Sequence, residues 1–566
     1  MRALFDGEPR SLTDSATSPR VVWTFVWFSV VVAGTNAFGQ WSEWSGFALI
    51  APTITLVGVV GVVTTWLVPL GRWRRFEHAS FAVVVATVLA VTGPNIATRH
   101  YFNTDAAAFN QRAAQLLVNA IDPYRATFRA GHLLLRGAGA FWTYTLNGGH
   151  VDQLSYPALS FLLQAPLQLV GLEHLTTDWV DLAAWIFAAV LLYLVSPTNA
   201  RWLAPLLLVA SFFTYSFAFG GTDALFVPFM MLAAWRWERF LDDGAARAAR
   251  WLGPLSLGVA CSIKQTPWFC VPFFLVLIAS EAHARGLRVT GPLIRYAAAV
   301  AAPFVVLNAP FFLWSPTAWL HGILLPLNQP LIPDGQGLVS LATHGLLHSV
   351  HPFDLQLAAA AVFFALLLAL ALWYPQWKRT WLFAVPFILF VPSRSLSSYL
   401  VDFVPAAFVL ALTSAPAPAR WRRPVTRRVS FSAVGLALAM AIGLATAAFT
   451  APALSVTLVA RQRIGHNAYM GTVTLTFVNH TNSPLTPHVM AVVGSGHPVG
   501  FWRPLGASAP LVIAADASRT VTMQPPRFMR APLYGEEWMM EVVTPAPAAL
   551  VTSRVYSWPS GPRLSG

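Results

Sequence analysis

Apolar runs long enough to cross a lipid bilayer recur along most of this chain, and they limit its fold more than any other feature. A helix needs about 20 mostly apolar residues to cross the hydrocarbon layer. Segments 21–37, 47–70 and 79–97 meet or approach that length. Further runs fall near 157–172, 179–196, 202–217, 224–237, 251–280, 295–314, 355–374, 380–393, 399–413 and 430–450. Only 10% of the 566 residues are charged, against roughly a quarter in a soluble domain. The pattern predicts a polytopic α-helical membrane protein with about 12–14 membrane segments, embedded in membrane lipid.

The net charge of +13 would suggest nucleic acid as a partner of a soluble protein. Here the basic residues gather in short stretches between apolar runs, which is the positive-inside pattern, so no nucleic-acid partner is expected. Arg72, Arg74 and Arg75 mark one cytoplasmic stretch, and RWRRPVTRR from Arg420 to Arg428 marks another. Counting spans outward from each puts the polar stretch 98–155 and everything after 451 on the same, extracytoplasmic side. Residues 1–20 form a cytoplasmic tail with no signal-peptide core before Val21, so the first span is retained. Basic flanks at Arg247, Arg250, Arg285 and Arg288 make 251–280 a tight double crossing, with Lys264-Gln265-Thr266-Pro267 at its outer turn. Four runs lie between the outer stretch and the cytoplasmic WERFLDDGAARAAR, where an odd number is required, so one of them does not cross.

The character changes after 451. SVTLVARQR, GTVTLTFVNHTNSPLTPHVMAVV, APLVIAA, SRTVTMQ and EWMMEVVTP alternate apolar and polar residues between Asn, Pro and Gly turns. That period of two predicts a C-terminal all-β domain over 451–566, a small antiparallel sandwich, attached to a membrane domain over 21–450. Cys261 and Cys270 sit in one apolar run and read as small buried hydrophobes, with no disulfide framework or zinc spacing.

The stretch 98–155 is long and polar for a connection in a compact fold. Apolar residues at Ala107, Phe109, Ala113, Leu116, Leu117 and Ala120 keep helical spacing, leaving Asn110, Gln111, Arg112 and Asn119 on other faces. An interfacial helix along the bilayer surface is expected, ending at Asp122-Pro123-Tyr124. Asp105 at its start reads either as a helix cap or as a carboxylate held beside a lipid headgroup. Asp223, after Gly220-Gly221-Thr222, is likewise a cap or an acid that a substrate approaches closely. Lys264 needs a partner or a substrate at membrane depth, or else snorkels to the surface. Arg394, among Ser393, Ser395, Ser397, Ser398 and Tyr399, suits phosphate oxygens, or pairs with Asp402. Asn328, Gln329, Asp334, Gln336 and His344 belong to an outer loop suited to sugar hydroxyls or simply to water. Trp502, Tyr534 and Trp538 either stack on sugar rings or pack a core.

The order of these motifs resembles integral-membrane glycosyltransferases of the GT-C superfamily, especially the polyprenol-phosphate-mannose-dependent mannosyltransferases. The resemblance covers roughly 79–413. It rests on Asp105 in the first large outer loop, the following helix ending in Asp122-Pro123-Tyr124, and Tyr156-Pro157 at a span start. GGTD at 220–223, Lys-Gln-Thr-Pro at 264–267 and RSLSSY at 394–399 complete it. Two spans more than the family pattern precede the acid, and the β-domain is not a general family feature. The resemblance implies transfer of a mannose-like hexose or a pentose, with inversion, from a polyprenyl-phosphate donor to a cell-envelope glycan, glycolipid or protein acceptor. Asp105 would be the general base. Lys264 and Arg394 would hold the departing phosphate, with Tyr156 and Tyr399 beside the donor lipid. Asp122, Tyr124, Asp223, Gln265 and Gln336 would be further substrate-binding candidates. No DxD motif occurs, so neither a metal nor a cofactor is expected beyond the lipid-linked sugar. A transporter or lipid-linked-sugar flippase is the alternative, although it would predict an internal repeat, and none is visible. A non-catalytic scaffold displaying the β-domain would leave Lys264 and the Asp105 stretch without a role.

Overall fold

The apolar runs fold into helices, and several of them start or break at a proline. The computed structural model describes residues 17–41, 49–129, 133–134, 142–210, 222–328, 330–416, 427–450, 452–464, 469–494, 500–506, 509–526, 529 and 536–557. Among these, 6 helices are long and apolar enough to cross a bilayer: Ile50–Leu67, Leu70–Thr98, Thr176–Val195, Thr266–Ala284, Thr290–Trp314 and Pro352–Leu372. Thr17–Trp41 is a further helix of 25 residues. Other runs are shorter or broken. The 157–172 run becomes two helices, Leu159–Leu162 and Ala165–Leu169, the second opening with a proline at its first turn. The 380–393 run splits at Val385-Pro386, and the 399–413 run splits ahead of Pro405. Proline lacks an amide N–H and starts new helices readily, so composition alone overcounts full-length segments. Most of RWRRPVTRR and the Gly220-Gly221 pair lie outside the described residues.

The Asp105–Val118 helix departs from expectation. Its polar face is not left open: Asn110 and Gln111 are as buried as Phe109. Gln111 donates to the Glu173 carbonyl at 2.8 Å and accepts from the Thr176 N–H at 2.7 Å, while Thr177 donates to the Ala107 carbonyl at 3.0 Å. Much of the polar face is therefore met by protein rather than by water, through the 173–177 segment. The segment 315–354 is likewise not a bare solvated loop. It holds the Pro316–Asn328 helix, the two-residue strand Asp334–Gly335, the turn of helix Ser340–Thr343 and the strand Ser349–Val350.

The C-terminal strands form two antiparallel sheets. One has the order Leu454–Ile464, Tyr469–Asn479, Ser518–Gln524, Arg503–Pro504. The other is centred on Glu537–Pro545, with His488–Val493 on one side and Ala548–Thr552 and Tyr556–Ser557 on the other. Leu475, Phe477, Met523, Val489, Trp538 and Met540 from both sheets share one core, which makes a sandwich. Trp502 and Trp538 pack in that core, Trp538 also lining the cavity beneath the sheet, and Tyr534 lies outside the described residues. The 509–515 stretch is not a strand, since only the Leu485–Ile513 bridge pairs there.

This sheet does not stand apart from the helices. Ser349–Val350 adds to its edge, pairing Val350 with Leu550 and Ser349 with Val551. A second core joins Met490, Val543 and Leu550 of the sheet to Ile332, Val339 and Leu355. Tyr144 also accepts the Gly500 N–H through its hydroxyl at 2.9 Å. Backbone pairing and apolar packing together hold the sheet over the helical domain, where it becomes one wall of the site.

Candidate functional site

A cavity of about 990 Å³ lies between the helices and the sheet. Its lining brings together Asp105, Tyr156, Asp223, Lys264, Arg394 and Tyr399, which are far apart in sequence. Gln265 and Gln336 line it as well.

Asp105 opens its helix, but Thr104 is the cap, its side chain accepting the Ala107 N–H at 3.3 Å. The Asp105 carboxylate is thus free of capping duty and accepts the Thr143 N–H at 2.7 Å. Burial raises its pKa above the ordinary carboxylate value, while hydrogen bonds from Thr143 and the charge of Arg394 act in the opposite direction. A carboxylate in that state is a stronger proton acceptor than one in water.

Arg394 is held by backbone. Asp334–Gly335 pairs in parallel with Arg394–Ser395, the Asp334 N–H donating to the Ser393 carbonyl at 2.8 Å and Gln336 to Ser395 at 2.7 Å. Gly335 makes this approach possible at φ +122°, since a Cβ there would lie 2.2 Å from the Ser395 carbonyl oxygen. The guanidinium donates to the Ile332 carbonyl at 3.3 Å, and no Arg394–Asp402 ion pair forms among the described residues.

Lys264 behaves differently from a snorkelling residue. It is 5% exposed and forms an ion pair with Asp223, itself 2% exposed. The rings of Tyr399 and Tyr156 lie 5.1 and 5.8 Å from its ammonium. Asp402 and Asp181 add negative charge within electrostatic reach. Neither Asp402 oxygen has a hydrogen-bond partner among the described residues, and Asp181 accepts the Thr222 N–H at 2.9 Å. Lys264 is consequently neutralised by protein, and Asp223 is its partner rather than a helix cap.

Two expected substrate residues are elsewhere. Asp122 accepts the Tyr124 N–H at 2.9 Å and the Ser315 hydroxyl, closing a turn. Tyr124 packs against Phe161 and Phe311 and donates to the Tyr156 carbonyl at 2.8 Å. Neither lines the cavity, because Asp122-Pro123-Tyr124 ties this stretch to the helices that carry Phe161 and Phe311. Gln265 reaches the cavity, but its amide donates to the Ser155 and Ile323 carbonyls at 2.7 and 2.8 Å.

Sequence reasoning missed Thr143, Asp181 and Glu541. Thr143 carries no local signal, whereas Asp181 had one as an acid inside the apolar 179–196 run. Glu541 had one: it is a lone acid in the otherwise apolar interior of EWMMEVVTP. No family model, no curated protein and no solved structure matches this chain.

Proposed function

We propose that this chain is an integral-membrane glycosyltransferase that moves a sugar from a polyprenyl-phosphate donor to a cell-envelope acceptor on the outer side of the membrane. The observation that carries the reading is one cavity holding an anchored, unpaired carboxylate, Asp105, within the electrostatic influence of a guanidinium, Arg394. The acceptor hydroxyl oxygen bonds to the anomeric carbon as the bond from that carbon to the phosphate oxygen breaks. The bonding electrons leave on the phosphate, and the hydroxyl proton passes to Asp105. Displacement from the opposite face inverts the centre. Arg394 balances the charge that grows on the leaving phosphate, which is where a preorganised cation helps most. Tyr156 and Tyr399 give that end of the cavity an aromatic wall for the lipid. The six long apolar helices support the membrane setting. The short, broken Leu159–Leu169 segment is a candidate for the run that does not cross.

The test is transfer of labelled sugar from polyprenyl-phosphate donors in membranes holding wild type or Asp105→Asn. Loss of a general base lowers the rate by about 10²–10⁴-fold. Equal activity in a correctly inserted variant removes Asp105 as the base. A second reading, a transporter or lipid-linked-sugar flippase, is favoured by one observation, the buried cluster of Lys264 with Asp181, Asp223 and Asp402. Flux of lipid-linked sugar without transfer would select it.

A further inference from the structure

The strand Glu537–Pro545 alternates as a sheet strand must. Trp538, Met540 and Val542 enter the sandwich core. Glu541 and Met539 point the other way and line the cavity, while Val543 on that face packs against the helical domain. Glu541 is only 2% exposed, yet its carboxyl has no hydrogen bond or ion pair among the described residues. Burying such a group destabilises a fold, so an unsatisfied one aimed into a cavity marks a place where a ligand completes it. Asp334, on the strand that positions Arg394, faces the same space and repels a second negative charge. The Asp334 charge disfavours an anion beside Glu541. A fixed metal ion is not favoured either, since no group of three metal-ligating side chains occurs among the described residues. A neutral polyol remains, whose hydroxyls both donate and accept.

We propose that Glu541 binds hydroxyl groups of a carbohydrate acceptor, with Asp334 beside it, so that the C-terminal β-domain supplies part of the acceptor subsite. This rests on the transferase reading for the word acceptor, but the binding itself does not. Burial, with a smaller contribution from Asp334, pushes the Glu541 carboxyl up to about 8. At neutral pH it thus holds a proton and offers one donor and one acceptor, the pairing a hydroxyl needs. Glu537 and His344 are further titratable groups lining that part of the cavity.

The experiment titrates the purified full-length chain with methyl mannoside and mannobiose, following tryptophan fluorescence, for wild type, Glu541→Leu and Glu541→Gln. Glu541→Leu is expected to weaken binding by about tenfold or more, the worth of a lost hydrogen bond, while raising thermal stability because an unsatisfied acid is gone. Glu541→Gln keeps a donor and an acceptor and is expected to bind within a few-fold of wild type at pH 7, losing the decline that wild type undergoes above pH 8. Equal sugar binding by wild type and Glu541→Leu overturns the proposal, as does loss of stability in the leucine variant, which would make Glu541 structural. Calcium binding by wild type that Glu541→Leu lacks also overturns it, in favour of a cation site. In the transfer assay, a raised acceptor KM with unchanged donor KM supports the subsite. Absence of transfer in wild type counts against the transferase reading alone, because sugar binding is read separately.

Discussion

Removing Lys264 should destabilise the protein far more than removing Asp223, although the two form one ion pair. The reason is what each deletion leaves behind. Asp223→Asn leaves the lysine with Asp402, Asp181 and two tyrosine rings at 5.1 and 5.8 Å. Its cost is that of one charged hydrogen bond, about 1.5–3 kcal/mol. Lys264→Met strands Asp223 at 2% exposure and leaves two further buried carboxylates, at 0% exposure each, without the cation. Breaking a buried pair so that charge is left uncompensated costs roughly 3–5 kcal/mol. The double variant should cost less than the sum, with a coupling of about 0.5–3 kcal/mol. Equilibrium unfolding of the detergent-solubilised chain by sodium dodecyl sulfate, followed by tryptophan fluorescence, measures all three. If Asp223→Asn costs as much as Lys264→Met, or if the single costs add within about 0.5 kcal/mol, the lysine is not the hub of this cluster and the reasoning fails.

Three other outcomes follow from the site. Transfer should decline as pH falls through the raised Asp105 pKa, because the base must be ionised; Arg394→Gln removes an opposing positive charge and should move that acid limb to higher pH, as read from the pH profile of kcat/KM. Gly335→Ala forces a side chain into φ +122° and onto the Ser395 carbonyl; it should cost about 1–3 kcal/mol and reduce transfer by displacing Arg394, whereas an unchanged rate would show that the Asp334–Gly335 pairing does not position the guanidinium. Glu541 binds its proton more tightly folded than unfolded, so its contribution to stability is complete below the unfolded value near 4.5 and is lost as pH rises to about 8. The unfolding free energy of wild type should fall across that window at up to about 1.4 kcal/mol per pH unit, and Glu541→Gln should flatten the trend.

Local pattern made much of the fold legible. Runs of Val, Leu, Ala and Phe announce helices, and the alternation in SVTLVARQR and EWMMEVVTP announces strands, because period is a property of neighbouring residues. The buried cysteines and the Lys264 turn were also readable, since each depends on its own apolar surroundings. The Asp105–Val118 helix was read in length but not in setting. Its polar face looked wet because the partners at 173–177 come from another part of the chain.

By itself, then, the sequence determined most of the helical and strand segments, though not the elements within 315–354 or the unpaired 509–515 stretch, and which few ionisable residues sit among apolar ones. Tertiary structure alone decided what those residues meet. It paired Lys264 with Asp223, withdrew Asp122 and Tyr124 into packing, and laid the C-terminal sheet over the cavity through Ser349–Val350. The physical reason is that burial and charge pairing are set by contacts between segments distant in the chain. A carboxylate such as Asp105 or Glu541 carries no mark of its partners until those segments close around it.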